Sequence, residues 1–96
     1  MSKFAVTARF EVMSGREKAF MVEMKKQAEN SLNQEPGCLI FDICINREDG
    51  SDVLLYEIYT DKKAFDDHLA SRHFSAFIET VTPWITSKKI ECWDRI

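Results

Sequence analysis

The sequence predicts an α+β fold with the element order β-α-β-β-α-β around a four-stranded antiparallel sheet. Three observations carry this. Residues 3 to 13 alternate polar and apolar with period two. Residues 16 to 33 place apolar side chains one helical turn apart. Two strand-like runs then flank the five-residue turn Arg47-Glu48-Asp49-Gly50-Ser51.

In the first strand, Phe4, Val6, Ala8, Phe10 and Val12 share one face, and Thr7, Arg9 and Glu11 face away. Ser14 stands three residues before Glu17, the spacing of a capping box. In the helix that follows, Phe20, Met24, Ala28 and Leu32 recur every fourth residue and Met21 joins them. Lys18, Glu23, Lys25, Lys26 and Glu29 line the other side. Glu35-Pro36-Gly37 stops it, because proline cannot continue a helix and glycine permits the turn.

The second strand, 38 to 46, puts Leu39, Phe41, Ile43 and Ile45 on one side, and Cys38, Asp42 and Cys44 on the other. The third, 53 to 60, is apolar on both faces: Val53, Leu55 and Tyr59 on one, Leu54, Tyr56 and Ile58 on the other. A strand of that kind must be covered twice. Asp61 caps a short helix over 62 to 70, and Ser71 caps another over 72 to 82, where Phe74, Phe77, Ile78 and Val81 form the apolar stripe and Pro83 ends it. Residues 87 to 95 form the last strand. The order is the split βαβ, or ferredoxin-like, arrangement with helices on one face. The second face needs a cover, and a second copy of the chain is the simplest one. Trp84 and Trp93 suit that interface.

Composition bounds the rest. The 96 residues make one domain, 1 to 96, with 45% hydrophobic residues and a net charge of −3. That is too apolar for disorder, and no basic block is longer than Lys25-Lys26 or Lys88-Lys89, too little to neutralise a nucleic-acid backbone, so no nucleic-acid partner is expected. No apolar run is long enough to span a membrane, and the first residues alternate rather than forming a secretory core. Cys38, Cys44 and Cys92 form no CxxC pair and leave one odd, which predicts reduced thiols in a cytoplasm.

Three polar residues break the pattern. His68 falls inside the apolar arc of Ala64, Phe65 and Leu69, facing the sheet. It is either a core histidine satisfied by one hydrogen bond or an acid/base working near neutrality. His73 stands at the second position of the next helix, where the dipole disfavours its protonated form. Histidines 68 and 73 lie across a helix break with no third ligand at metal spacing, so no metal site is expected. Glu57 shares a face with Leu55 and Tyr59; it needs a pocket or a cation, and Arg9 on the neighbouring strand is the candidate partner.

The ordered series Glu35-Pro36-Gly37-Cys38, Phe41-Asp42, Tyr56-Glu57-Ile58-Tyr59, Ala64-Phe65-Asp66-Asp67-His68 and His73-Phe74 closely resembles the antibiotic biosynthesis monooxygenase family. The resemblance covers essentially the whole chain. It implies a dimeric α+β barrel with a pocket between sheet and helices. It also implies a cofactor-independent monooxygenase acting on a quinol or phenol, with no flavin, metal or other cofactor. A second branch isomerises phosphorylated autoinducer-2, and a third degrades haem. The haem pattern has an Asn on the first strand and a Trp in the second helical region; this chain has Thr7 and Arg9 on the strand and no Trp over 62 to 70.

Carried onto this sequence, the resemblance makes Glu57, His68 and His73 site residues. His68 is then the base or phenolate partner and Glu57 the carboxylate that orients it. Tyr59 and His73 add polar contacts, and Tyr56 and Phe41 form walls. Arg9 and Arg72 would serve a phosphate in the isomerase alternative. A small-ligand-binding dimer without chemistry is the third possibility.

Overall fold

The computed structural model describes residues 2–96. Its elements are β1 (Lys3–Val12), α1 (Glu17–Gln34), β2 (Cys38–Ile45), β3 (Asp52–Tyr59), α2 (Lys62–Leu69), α3 (Arg72–Val81) and β4 (Ile85–Arg95), with a 3₁₀ turn at Thr82–Trp84 before the last strand. The four strands pair antiparallel in the order β2-β3-β1-β4, which is the ferredoxin-like topology.

The core lies between one sheet face and the helices. Val6, Ala8, Phe10 and Val12 meet Val53, Leu55 and Tyr59 there, and Phe20, Met24, Phe77 and Val81 close over them. Phe20 links the layers, with ring centroids 5.6 Å from Phe10 and 6.3 Å from Phe77. The other face carries no helix. Leu54, Tyr56 and Trp93 are exposed on it, and the Trp93 indole N–H donates to Thr7 Oγ1 at 3.0 Å. Trp84 packs against the chain's own core instead, with the Arg16 guanidinium 6.0 Å from its ring centroid.

Four expectations are corrected by local geometry. The Ser14 capping box does not form; Arg16 occupies the cap position, and Glu17 turns back to accept from the Gly15 N–H at 2.7 Å, with Gly15 at a φ of 90°. Leu32 is 45% exposed, and the buried stripe of α1 runs Phe20, Met24, Gln27, Ala28, Ser31. In β2 the register slips between Cys38 and Ile40. This extra residue throws Leu39 outward and lets Cys38 and Phe41 both face the helices, while Cys44 stays exposed on the other side. Finally, Arg9 lies opposite Leu54, on the helix-free face, whereas Glu57 lies opposite Val6 on the core face. The two cannot pair. Arg9 instead makes a two-pronged bond to Asp52, at 2.8 and 2.7 Å.

Candidate functional site

The site is built over β3 where α1 and α2 end and α3 begins. Period-two alternation sends Glu57 and Tyr59 to the core face together, and the Tyr59 hydroxyl donates to Glu57 Oε1 at 2.6 Å. Phe41 sits across from Glu57 on β2. Asp61 caps α2 by accepting from the Ala64 N–H at 2.8 Å, which fixes the helix that carries His68 inward. That imidazole is 3% exposed. Aromatic rings surround it: centroids of Phe74, Tyr59, Phe65 and Phe41 lie 4.9, 5.4, 6.0 and 6.1 Å away.

Ser71 joins α2 to α3. Its hydroxyl donates to the His68 carbonyl at 2.7 Å and accepts from the Phe74 N–H at 3.3 Å. The short break brings His73 beside His68, with ring centroids 6.3 Å apart. Between them stands Glu35, the residue after α1. Its two oxygens each lie 3.0 Å from His68 Nδ1, and Oε2 lies 2.5 Å from His73 Nε2. Ser31 Oγ lies 3.4 Å from the same Nδ1.

A carboxylate only accepts, so each histidine presents an N–H to it. His68 then carries its proton on Nδ1 and its lone pair on Nε2, which has no hydrogen-bond partner among the described residues. Burial pushes the His68 pKa down, against the opposing pull of the Glu35 bond and charge. Burial likewise pushes Glu57 up to about 7, partly offset by the Tyr59 bond. Tyr59 is raised by burial and by Glu57, and Cys38 is pushed up to about 12 by burial and by the charges of Glu35 and Glu57, so this thiol is not nucleophilic at neutral pH.

The triad separates two spaces. Inside is a largely apolar cavity of about 30 Å³, between Phe41, Leu55, Phe74 and Phe77, with Gln27, Glu57, His68 and Lys88 as the polar residues that line it. Outside is an open cleft of about 450 Å³ lined by Glu35, Gly37, Ala64, Arg72 and His73. Gln27 is 2% exposed, and neither polar atom of its amide has a partner among the described residues.

Of the residues expected from sequence, Glu57, Tyr59, His68, His73 and Phe41 therefore converge, and Arg72 stands on the outer rim. Tyr56 and Arg9 face the other side of the sheet, because they hold the opposite parity on their strands. The carboxylate bonded to His68 is Glu35 rather than Glu57. Glu35, Gln27 and Ser31 were not expected. Glu35 did leave a signal: an acid closing a helix sits where the dipole favours cations.

Residues 3–80 match the family model described as antibiotic biosynthesis monooxygenase. Among solved structures, the chain superposes on a proposed antibiotic biosynthesis monooxygenase of Nitrosomonas europaea at a TM-score of 0.94 and 24% identity, over 99% of this chain and 91% of that one. A similarly described protein of Caulobacter crescentus gives 0.94 and 21%, over 99% and 91%. A conserved protein of Methanosarcina mazei gives 0.92 and 22%, over 100% and 95%. No curated protein matches the chain. At these identities the structures speak for the fold, and the family model speaks for descent. With that match spanning most of its length, the chain belongs to the antibiotic biosynthesis monooxygenase family.

Proposed function

We propose that the protein is a cofactor-independent monooxygenase that oxidises a small quinol or phenol with dioxygen. The observation that carries this reading is the His68 imidazole, oriented through Nδ1 by Glu35, with its Nε2 unpartnered in a ring of Phe41, Phe65 and Phe74. Nε2 takes the phenolic proton, and the electron-rich phenolate reduces dioxygen directly. For a monophenol, one substrate and one dioxygen give a quinone and one water. One oxygen atom becomes the second ring carbonyl and the other leaves as water. The apolar walls keep bulk water from the reactive intermediate.

Gln27 and the Tyr59–Glu57 pair are the polar contacts available to the substrate's oxygens. His73 acts through Glu35, as a positioning residue. An inner cavity of about 30 Å³ admits water or a diatomic gas but no aromatic ring, so the side chains that line it must rearrange when a substrate enters.

The isomerase alternative needs cations for a phosphate. Of the two candidate arginines, Arg9 is committed to Asp52 on the far face and Arg72 stands at the outer cleft, so they do not converge on one phosphate, which favours the oxygenase reading. We place a second copy of the chain on the helix-free face, over Leu54, Tyr56 and Trp93. The three free thiols fit a reducing compartment, the cytoplasm.

The test is oxygen consumption by metal-stripped protein across a panel of quinols and phenols, beside a phosphorylated-carbonyl panel followed by NMR. Uptake above the protein-free rate, lost in His68→Ala, supports the oxygenase. Uptake at the protein-free rate overturns it; ligand shifts without turnover then indicate a binding protein.

A further inference from the structure

We propose that Glu35, His68 and His73 form a binding site for one divalent transition-metal ion of the zinc type. The sequence argued against a metal because the two histidines straddle a helix break without a third ligand. The fold removes both objections. The break at Ala70–Ser71 is what turns the imidazoles toward each other, and the end of α1 delivers the third donor between them.

The donor set is two imidazoles and one carboxylate, the set that holds Zn²⁺ or Fe²⁺. His68 Nδ1, His73 Nε2 and a Glu35 oxygen all lie within 4.8 Å of one another. An ion about 2.1 Å from each donor needs them roughly 3 to 4 Å apart. The nitrogens must close slightly, and Glu35 must draw back slightly from His73, which side-chain torsions accommodate. The three side chains are 4 to 12% exposed, so the ion would be largely sheltered. The donors come from three separately anchored helix ends, with α2 and α3 capped by Asp61 and Ser71, so little ordering accompanies binding. The outer cleft, with Arg72 on its rim, gives water or a small anion access to the remaining coordination positions.

The site itself does not depend on the oxygenase reading. Its consequence for turnover does. An ion on His68 Nδ1 takes the place of the proton held there, and the ring proton moves to Nε2. His68 then donates where it had accepted, so a bound metal inhibits the base-assisted reaction.

The experiment uses untagged, chelator-stripped full-length protein without substrate. Zn²⁺ is titrated calorimetrically and Co²⁺ by its visible ligand-field absorption. The expected result is one ion per chain, with affinity reduced about 100-fold in Glu35→Gln and in His73→Asn and unchanged in Asp67→Asn, a cleft residue outside the donor set. No saturable uptake, or uptake that survives both ligand substitutions, overturns the proposal. Should a variant fail to fold, imidazole ¹⁵N shifts of the unmodified protein decide: Zn²⁺ must move the His68 Nδ1 and His73 Nε2 resonances, and unmoved resonances overturn the site. Metal uptake is scored apart from oxygen consumption, so failure of either reading is recognised separately.

Discussion

Replacing Gln27 by Met separates stability from function at one position. Both polar atoms of the Gln27 amide are buried and have no partner among the described residues. An amide left without partners costs about 1–3 kcal/mol relative to a satisfied or apolar group. Met matches Gln in length and in helix propensity, so neither packing nor α1 is penalised. Gln27→Met should therefore raise the unfolding free energy by about 1–2 kcal/mol. For a chain of this length that is a Tm gain of about 5–10 °C. The assay is urea and thermal unfolding at one protomer concentration, because association would otherwise shift the midpoint. The urea slope should stay constant. In the oxygenase assay the variant should show a raised KM, since the substrate oxygen loses its amide partner. A loss of more than about 1 kcal/mol would refute the reasoning, because it would mean that the amide is satisfied and holds the fold together.

Other substitutions test neighbouring steps. Glu57 holds its proton to about pH 7 in the fold, against 4.5 when unfolded. The Glu57 contribution to the unfolding free energy should fall by about 3 kcal/mol as pH rises from 4.5 to 7, and then level off, because the unfolded carboxyl releases its proton first, while His68, whose pKa burial lowers, contributes with the opposite sign; Glu57→Gln should remove the falling component, and equal slopes of wild type and variant in urea melts from pH 4 to 8 would reject the assignment. A Cβ on Gly37 would collide with the Ala64 side chain of α2. Gly37→Ala should cost about 1–3 kcal/mol and be partly rescued by Ala64→Gly, a cycle measured by thermal unfolding; no rescue would show that the strain lies elsewhere. Trp93→Glu on the helix-free face should convert a dimer to monomers in light scattering without changing the far-ultraviolet circular dichroism. An unmodified chain that is already monomeric at micromolar concentration would remove the second copy from that face.

The elements were legible because their periodicities are strong. Phe4 to Val12 alternate cleanly, and Asp61 and Ser71 cap the helices expected of them. His68 was legible because a polar residue inside an apolar arc has few places to point. Other features hid for physical reasons. β3 is apolar on both faces, so its sequence does not say which face is core, and the choice between Arg9 and another partner for Glu57 rests on that parity. Gln27 and Ser31 lie on the buried arc of α1 but are polar, so the apolar repeat points to Leu32 instead. Glu35 lies beside a proline and a glycine that account for the turn without it. Its role depends on contacts 33 and 38 residues away, which no local pattern encodes.

The bulge in β2 makes the stretch from Glu35 to Phe41 a measured length of chain. Glu35 must reach two helices while Phe41 keeps its place opposite Glu57, and Leu39 takes up the difference by leaving the ladder. Leu39, exposed and outside the ladder, can change size at modest cost, whereas Gly37 and Phe41 in the same interval cannot. Deleting Leu39 would restore even pleating with Cys38 and Phe41 still facing the helices, opposite Tyr59 and Glu57; what it would remove is the local bend and added twist of the bulge between Glu35 and the strand. The join between carboxylate and sheet is thus a bend one residue long, and its loss would be read in the position of Glu35 and its two histidines rather than in the packing of Cys38 and Phe41.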